Sequence, residues 1–143
     1  MKRAFVCIVC ALPAIQAFGW SMLSGIIGTL ILAGFFASIM SLELLSMLLP
    51  VVAGVNASIS GYMLIERAED EIKRKNSMSA AVGLMVALLS SIAVNAICLK
   101  IGGFFLLSGS QALAAVAIGI IGGWSGGVLA EKYRKLKEQA AAG

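Results

Sequence analysis

The fold class of this chain is decided by the stretch Ala115-Val-Ala-Ile-Gly119-Ile-Ile-Gly-Gly123-Trp-Ser-Gly-Gly127. Every fourth residue in it is alanine or glycine, and on a helix these positions form one strip with almost no side chain. Such a strip lets a neighbouring helix approach closely, which is a common way for helices to associate in lipid. Because the stretch also carries no charge, it predicts a tightly packed transmembrane helix.

Composition extends this prediction to the whole chain of 143 residues. Hydrophobic residues make up 60% of it, charged residues 13%, and the mean hydropathy is +0.99. Long uncharged runs each reach the roughly 20 residues that are needed to cross a hydrocarbon core. We therefore predict an all-α, polytopic membrane bundle of four transmembrane helices, preceded by an N-terminal apolar segment. The predicted spans are residues 20–40, 44–65, 77–99 and 111–130.

We predict that the chain consists of five segments. Residues 1–19 have a basic start and an apolar run, which fits either a secretory signal peptide or an N-terminal extension of the first helix. Residues 20–67 and 78–132 are predicted to form two tandem helical hairpins. A charged loop at 68–77 joins the hairpins, and a basic tail follows at 133–143.

The two predicted hairpins resemble each other at their ends. Residues 60–67, with the sequence SGYMLIER, align without gaps with residues 125–132, with the sequence SGGVLAEK. In both, a helix with small residues every four positions becomes charged. The match suggests a parallel duplication, with the hairpins related by an axis along the membrane normal.

Small residues at intervals of four recur in every predicted span, and we predict that they are helix-packing positions. Four such strips exceed what one compact bundle interior is expected to need, so we also expect some of them to contact other membrane helices. The predicted packing residues are Gly25 in the first span, Ala53, Ala57 and Gly61 in the second, Gly83 and Ala87 in the third, and Ala115, Gly119, Gly123 and Gly127 in the fourth.

Three amide side chains, Asn56, Asn95 and Gln111, fall within or at the edge of the spans. An amide in lipid needs a hydrogen-bond partner, so these residues are expected either to join helices or to line a polar cavity. Asn95 lies on the predicted packing face of the third span, where it could meet Asn56 across the bundle.

No enzymatic activity, metal site or cofactor is expected. The chain contains no histidine, which removes the commonest general base and metal ligand. Serine, cysteine and glutamate are present without a neighbouring base or a phosphate-binding loop. Cys7 and Cys10 form a C-x-x-C pair, but there is no second ligand pair, so two small apolar residues on a membrane helix are the simpler interpretation.

The net charge of +4 is interpreted as a membrane orientation signal, and we expect no nucleic-acid partner. In a four-span arrangement one side has only Lys100, so the basic loop and C-terminus are predicted to be cytoplasmic, or stromal in a plastid thylakoid. The predicted location is an inner or plasma membrane, or that thylakoid. The side that is predicted to be cytoplasmic or stromal holds Arg67, Lys73, Arg74, Lys75, Lys132, Arg134, Lys135 and Lys137.

Residues 52–61, the charged loop and residues 81–84 together resemble small four-span prokaryotic membrane proteins of unknown function, which have glycine-rich helices and a short basic loop. The resemblance implies a four-span fold and no particular activity. Our leading hypothesis is a non-enzymatic packing or accessory subunit that uses its Gly/Ala/Ser faces in a homo-oligomer or larger membrane complex. The alternatives are a pore or carrier for a small or lipidic solute, and a holin-like protein with a basic tail.

Overall fold

The predicted fold class is confirmed by the computed structural model, which describes residues 2–67 and 75–142, with side chains for residues 15–67 and 75–141. These residues form four α-helices, each long and apolar enough to span a membrane. The fold therefore also agrees with the four-span organisation that the resemblance implied. The helices are α1 (Lys2–Ile39), α2 (Leu42–Arg67), α3 (Lys75–Gly102) and α4 (Gly109–Ala142).

The N-terminal segment is part of α1, which runs without a break from Lys2 to Ile39. The structure thus has residues 2–19 as a helical extension of the first span, and whether they are cleaved in the cell stays a prediction. Most of the predicted charged loop, residues 68–74, lies outside the described residues. The fourth helix has 34 residues, or about 50 Å at 1.5 Å per residue. It therefore extends well beyond a hydrocarbon core of about 30 Å.

The helices α2 and α3 lie in contact at the centre of the bundle, with α1 and α4 on opposite sides of the pair. Both outer helices pack against α2 and α3, and among the described residues α1 and α4 do not contact each other. One apolar cluster, in the half of the bundle where α2 finishes and α3 begins, includes Ala57, Leu64 and Val86. A second includes Leu49 and Leu107 at the end where α3 turns into α4.

The two ends of the bundle differ in charge. At the basic end α2 finishes at Arg67, α3 begins at Lys75, and the charged part of α4 extends outward. At the opposite end α1 turns sharply into α2, and residues 103–108 connect α3 to α4. Gly103 has a φ of 71° there, a backbone conformation that side-chain-bearing residues rarely adopt.

Candidate functional site

The contact between α3 and α4 is made largely by backbone atoms. A Cβ on Gly83 would lie 2.8 Å from the Cα of Gly123, and a Cβ on Gly123 would lie 2.8 Å from the Cα of Gly83. One turn away, a Cβ on Gly119 would lie 2.8 Å from the carbonyl oxygen of Gly83. Distances this short leave no room for any side chain, so the two helices can pack this closely only because glycine occupies these positions.

The contact between α2 and α4 has the same character but uses a neighbouring face of α4. A Cβ on Gly61 would lie 3.0 Å from the carbonyl carbon of Gly123, and one on Gly122 would lie 3.3 Å from that of Gly54. Sequence reasoning did not assign Gly122, because its spacing does not match the main strip. The run Gly122-Gly123 is the signal that could have identified it, since adjacent glycines serve two different faces of one helix.

The α2–α4 contact also relates the two ends that align in sequence. The alignment matches Gly61 with Gly126, and the same offset continued beyond its start matches Ser58 with Gly123. In the structure Gly61 lies against the backbone of Gly123, and Gly126 lies against the backbone of Ser58. The two contacts are equivalent, because replacing each residue by its aligned counterpart turns one contact into the other. The equivalence does not extend to the whole hairpins. Equivalent hairpins would have an α1–α4 contact to match the α2–α3 contact, and among the described residues α1 does not contact α4.

The first helix packs through its own small residues. Ala17, Ser21, Gly25, Thr29 and Ala33 are all buried and recur at intervals of four. A Cβ on Gly25 would lie 2.8 Å from Cγ2 of Val86 on α3. A neighbouring glycine of α1, Gly28, faces α2 at Asn56. The strip therefore seats α1 in the groove between α2 and α3.

All of the predicted packing residues are buried within a single chain. Three of them, Ala57, Ala87 and Ala115, have no accessible surface. The expectation that four strips exceed the needs of one bundle is therefore wrong, because α4 packs against both α2 and α3, and α1 packs against the same two helices. The buried set comprises Gly25, Ala53, Ala57, Gly61, Gly83, Ala87, Ala115, Gly119, Gly123 and Gly127.

The buried hydroxyl groups bond mainly to their own helices. Thr29 Oγ1 donates to the Gly25 carbonyl oxygen at 2.8 Å, and Ser60 Oγ donates to the Asn56 carbonyl oxygen at 2.8 Å. Ser91 follows the same four-residue pattern. Such bonds use the one hydrogen of each hydroxyl, so these groups cannot donate to a passing solute while the bonds persist. Among the described side chains, Ser21 Oγ is buried with no hydrogen-bond partner.

The amide side chains do not form the predicted Asn56–Asn95 contact. Asn56 is buried and donates through Nδ2 to the Val52 carbonyl oxygen at 3.1 Å on its own helix. Asn95 instead brackets the backbone of Leu107 in the α3–α4 connection. Its Oδ1 accepts from the Leu107 N–H at 2.9 Å, and its Nδ2 donates to the Leu107 carbonyl oxygen at 3.3 Å. The physical reason is that Leu107 is buried in an irregular connection, where its backbone N–H and carbonyl groups lack helical hydrogen-bond partners.

Gln111 supports the same connection from the first turn of α4. Its Oε1 accepts from the Ser108 N–H at 2.9 Å, and its Nε2 donates to Ser46 Oγ of α2 at 3.1 Å. Ser46 in turn donates to the Glu43 carbonyl oxygen at 2.8 Å. Gln111 and Asn95 therefore organise the end of the bundle that is opposite the basic end, and neither is placed by these bonds in a central polar cavity.

Two of the clefts on the described part of the bundle surface are candidate sites, since each is lined by residues from more than one helix. The first, which we call the apolar cleft, has a volume of about 170 Å³ and lies between α1, α2 and α3 near the opposite end. Its one thiol belongs to Cys98, a half-buried free cysteine. The apolar cleft is lined by Leu30, Ala33, Gly34, Ala37, Leu42, Leu45, Val94, Ile97, Cys98 and Leu106.

The second, which we call the tyrosine–lysine cleft, has a volume of about 220 Å³ and lies between the last turns of α2 and the charged part of α4. Sequence reasoning treated these residues only as hairpin ends and a basic tail. The sequence signal that could have predicted the cleft is that α2 and α4 each carry a tyrosine and a basic residue near their ends. The tyrosine–lysine cleft is lined by Tyr62, Ile65, Glu66, Ala130, Tyr133, Arg134 and Lys137.

Within the described side chains, no group of three or more His, Cys, Asp or Glu residues is arranged to hold a metal ion. Cys7 and Cys10 lie outside that set, so the structure says nothing of their side chains. No protein family, curated protein or solved structure matches the chain.

Proposed function

We propose that this chain is a non-enzymatic integral membrane protein that serves as an accessory subunit, associating with copies of itself or with a larger membrane complex. The observation that carries the proposal is the unequal burial of the helices. Only 17% of the most apolar window of the α1 span is buried in the bundle, compared with 44% for α2. Most of α1 therefore remains available to other membrane helices or to lipid.

The close packing of the interior supports a scaffold more than a moving carrier. The helices α2, α3 and α4 meet through backbone contacts at Gly61, Gly83 and Gly123 that tolerate no displacement without loss of contact. The buried hydroxyls of Thr29 and Ser60 are bonded to their own helices. Association would then use the outward faces, because the Gly/Ala/Ser faces are occupied within the chain.

Site-specific photo-crosslinking in native membranes tests the proposal. A photoreactive amino acid at Ile31 of α1 is compared with the same group at Ile121 of α4, because each side chain is 65% exposed. We expect a protein adduct from position 31, and its mass distinguishes a second copy from another subunit. Lipid adducts alone at both positions, or equal protein adducts from both, would contradict the proposal.

A carrier of a lipidic solute is the second candidate, and the apolar cleft favours it. The wall of this cleft is apolar apart from one thiol, which suits an acyl chain more than a polar solute. The test is transfer of a fluorescent fatty acid across liposomes that contain the full chain. A tryptophan at Ala37 would fill the cleft and stop transfer, whereas a tryptophan at the exposed Ala117 of α4 would not. No transfer above empty liposomes would exclude this candidate.

A further inference from the structure

The tyrosine–lysine cleft combines features that the accessory role does not require. Tyr62 and Tyr133 come from different helices and contribute a phenol each to one cavity. Arg134 and Lys137 line the same wall, and Glu66 is the single acid among the lining residues. A phenol hydroxyl and an ammonium group both donate hydrogen bonds. The cleft is thus built to receive a compact group with several acceptor oxygens.

The cationic side chains are held by the geometry of α4. Arg134 Nε lies 3.3 Å from Glu138 Oε1 one turn further along the helix. Lys137 follows Arg134 by three positions, so both residues belong to the same side of the helix. The cleft of about 220 Å³ is smaller than the roughly 300 Å³ at which drug-sized pockets begin. Its size suits a single phosphate group more than an extended ligand.

The position of the cleft indicates where such a phosphate would come from. Two of its lining residues, Ile65 and Ala130, are buried and apolar and belong to the membrane-spanning parts of α2 and α4. Above it, α4 continues as a charged helix that ends at Ala142. The cleft therefore lies at the level where lipid headgroups meet water. Tyrosine is enriched at this level because its ring is apolar and its hydroxyl is polar.

We propose that the tyrosine–lysine cleft binds the phosphate group of an anionic lipid headgroup. Lys137 and Arg134 supply positive charge, and the hydroxyls of Tyr62 and Tyr133 donate to the phosphate oxygens. Basic pockets between membrane helices suit headgroups of this kind. The lipid's acyl chains would follow the apolar faces of α2 and α4 below the cleft. This inference does not depend on the accessory role.

The test is equilibrium binding of phosphatidylglycerol to the full-length protein in a neutral detergent, with phosphatidylcholine and inorganic phosphate as separate probes. The key variant is Lys137→Ala. Its matched control is Lys135→Ala, which removes the same charge from the same helix. Lys135 is paired with Glu131 at 3.5 Å, its side chain is 70% exposed, and it does not line the cleft.

We expect phosphatidylglycerol to bind more tightly than phosphatidylcholine, and Lys137→Ala to weaken its binding about fivefold, the effect of one basic residue at an anionic surface. Lys135→Ala should leave the affinity within twofold of the unmodified protein, and Lys137→Arg should retain most of it. Equal losses from Lys137→Ala and Lys135→Ala would overturn the proposal in favour of diffuse attraction. Inorganic phosphate that bound as tightly as the lipid would overturn the lipid assignment.

Folding of the variants is checked independently by their thermal unfolding in lipid-free detergent. Lys137 is exposed in the part of α4 beyond the membrane, so its truncation should leave the unfolding temperature unchanged. Tyr133→Phe provides a second variant that keeps the ring and removes one donor. A loss of phosphatidylglycerol binding in this variant, with unchanged unfolding, supports the proposed contact, and unchanged binding in both Tyr133→Phe and Lys137→Ala overturns it.

Discussion

Gly83 and Gly123 face each other across the α3–α4 contact so closely that a Cβ on either would lie 2.8 Å from the Cα of the other. The relationship is reciprocal, so neither residue can gain a side chain while the other stays in place. Gly123 also lies against Gly61 of α2, which makes one residue of α4 the meeting point of three helices. The small residues of α4 therefore pack against two helices of the same chain.

Replacing Gly123 with alanine should destabilise the protein by about 1–3 kcal/mol, the usual cost of overpacking a filled interior. The matched control is Gly34→Ala in α1, where an added Cβ would meet nothing within 4 Å. Alanine forms helices better than glycine, so this control should be neutral or slightly stabilising. Reversible unfolding in mixed detergent measures both. Similar effects from the two variants would contradict the packing described for Gly123.

Ser21→Ala should raise the stability of the protein by about 1 kcal/mol. The Ser21 hydroxyl is buried without a hydrogen-bond partner, and removing such a group removes the cost of its desolvation. The control is Thr29→Val, two turns further along the same face of α1, which deletes the 2.8 Å bond to the Gly25 carbonyl and should not stabilise. The same unfolding measurement decides the matter, and a Ser21→Ala variant less stable than the parent would show that the hydroxyl is bonded.

The two amides of the α3–α4 connection should protect different backbone amides from hydrogen exchange. Asn95→Ala removes the acceptor of the Leu107 N–H and should speed its exchange, whereas Gln111→Ala should affect the Ser108 N–H. The reason is that an amide that loses its acceptor exchanges through smaller, local openings of the structure. Residue-resolved hydrogen exchange measures both sites, and each variant is the control for the other. Equal acceleration at both amides in both variants would mean that the connection opens as one unit.

The basic end of the bundle should be cytoplasmic. The positive-inside bias predicts this orientation from the basic residues after α2 and on α4, compared with Lys100 alone at the opposite end. In sealed right-side-out vesicles, a cysteine at the exposed Ser108 should react with an impermeant thiol reagent, and one at Glu138 should react only after permeabilisation. Labelling of the position-138 variant in sealed vesicles would reverse the assignment.

The spans could be predicted from the sequence because hydrophobic length is a local property. The predicted start and end of α2, at residues 44 and 65, differ from Leu42 and Arg67 by two residues each. The partner of Asn95 could not be predicted in this way, because it depends on how residues 103–108 fold back against α3. The tyrosine–lysine cleft depends on the parallel approach of α2 and α4, which no single helix reveals.

The helices that the glycine strips contact could not be predicted from the sequence. A strip such as Ala115, Gly119, Gly123 and Gly127 favours close approach of another helix without specifying which helix that is. Gly122 and Gly126, one position before Gly123 and Gly127, give α4 a second face, which packs against Gly54 and Ser58 of α2. Both faces of α4 therefore pack against helices of the same chain, and the strips are buried within it.

Disulfide trapping in native membranes tests this central claim most directly. The residues in contact are Ser79 of α3 and Gly127 of α4, since a Cβ on Gly127 would lie 2.7 Å from the Cβ of Ser79. Cysteines are introduced at both positions after the native Cys7, Cys10 and Cys98 have been replaced. A small relaxation would bring the pair to disulfide geometry.

Mild oxidation should convert the Ser79→Cys/Gly127→Cys variant to an internally crosslinked monomer, which migrates as a single chain and is restored by reduction. Each single-cysteine variant should remain an uncrosslinked monomer. That result would place the α4 strip against α3 of the same chain. A crosslinked dimer from the double variant would instead show that the strip docks a second copy, and would contradict the account.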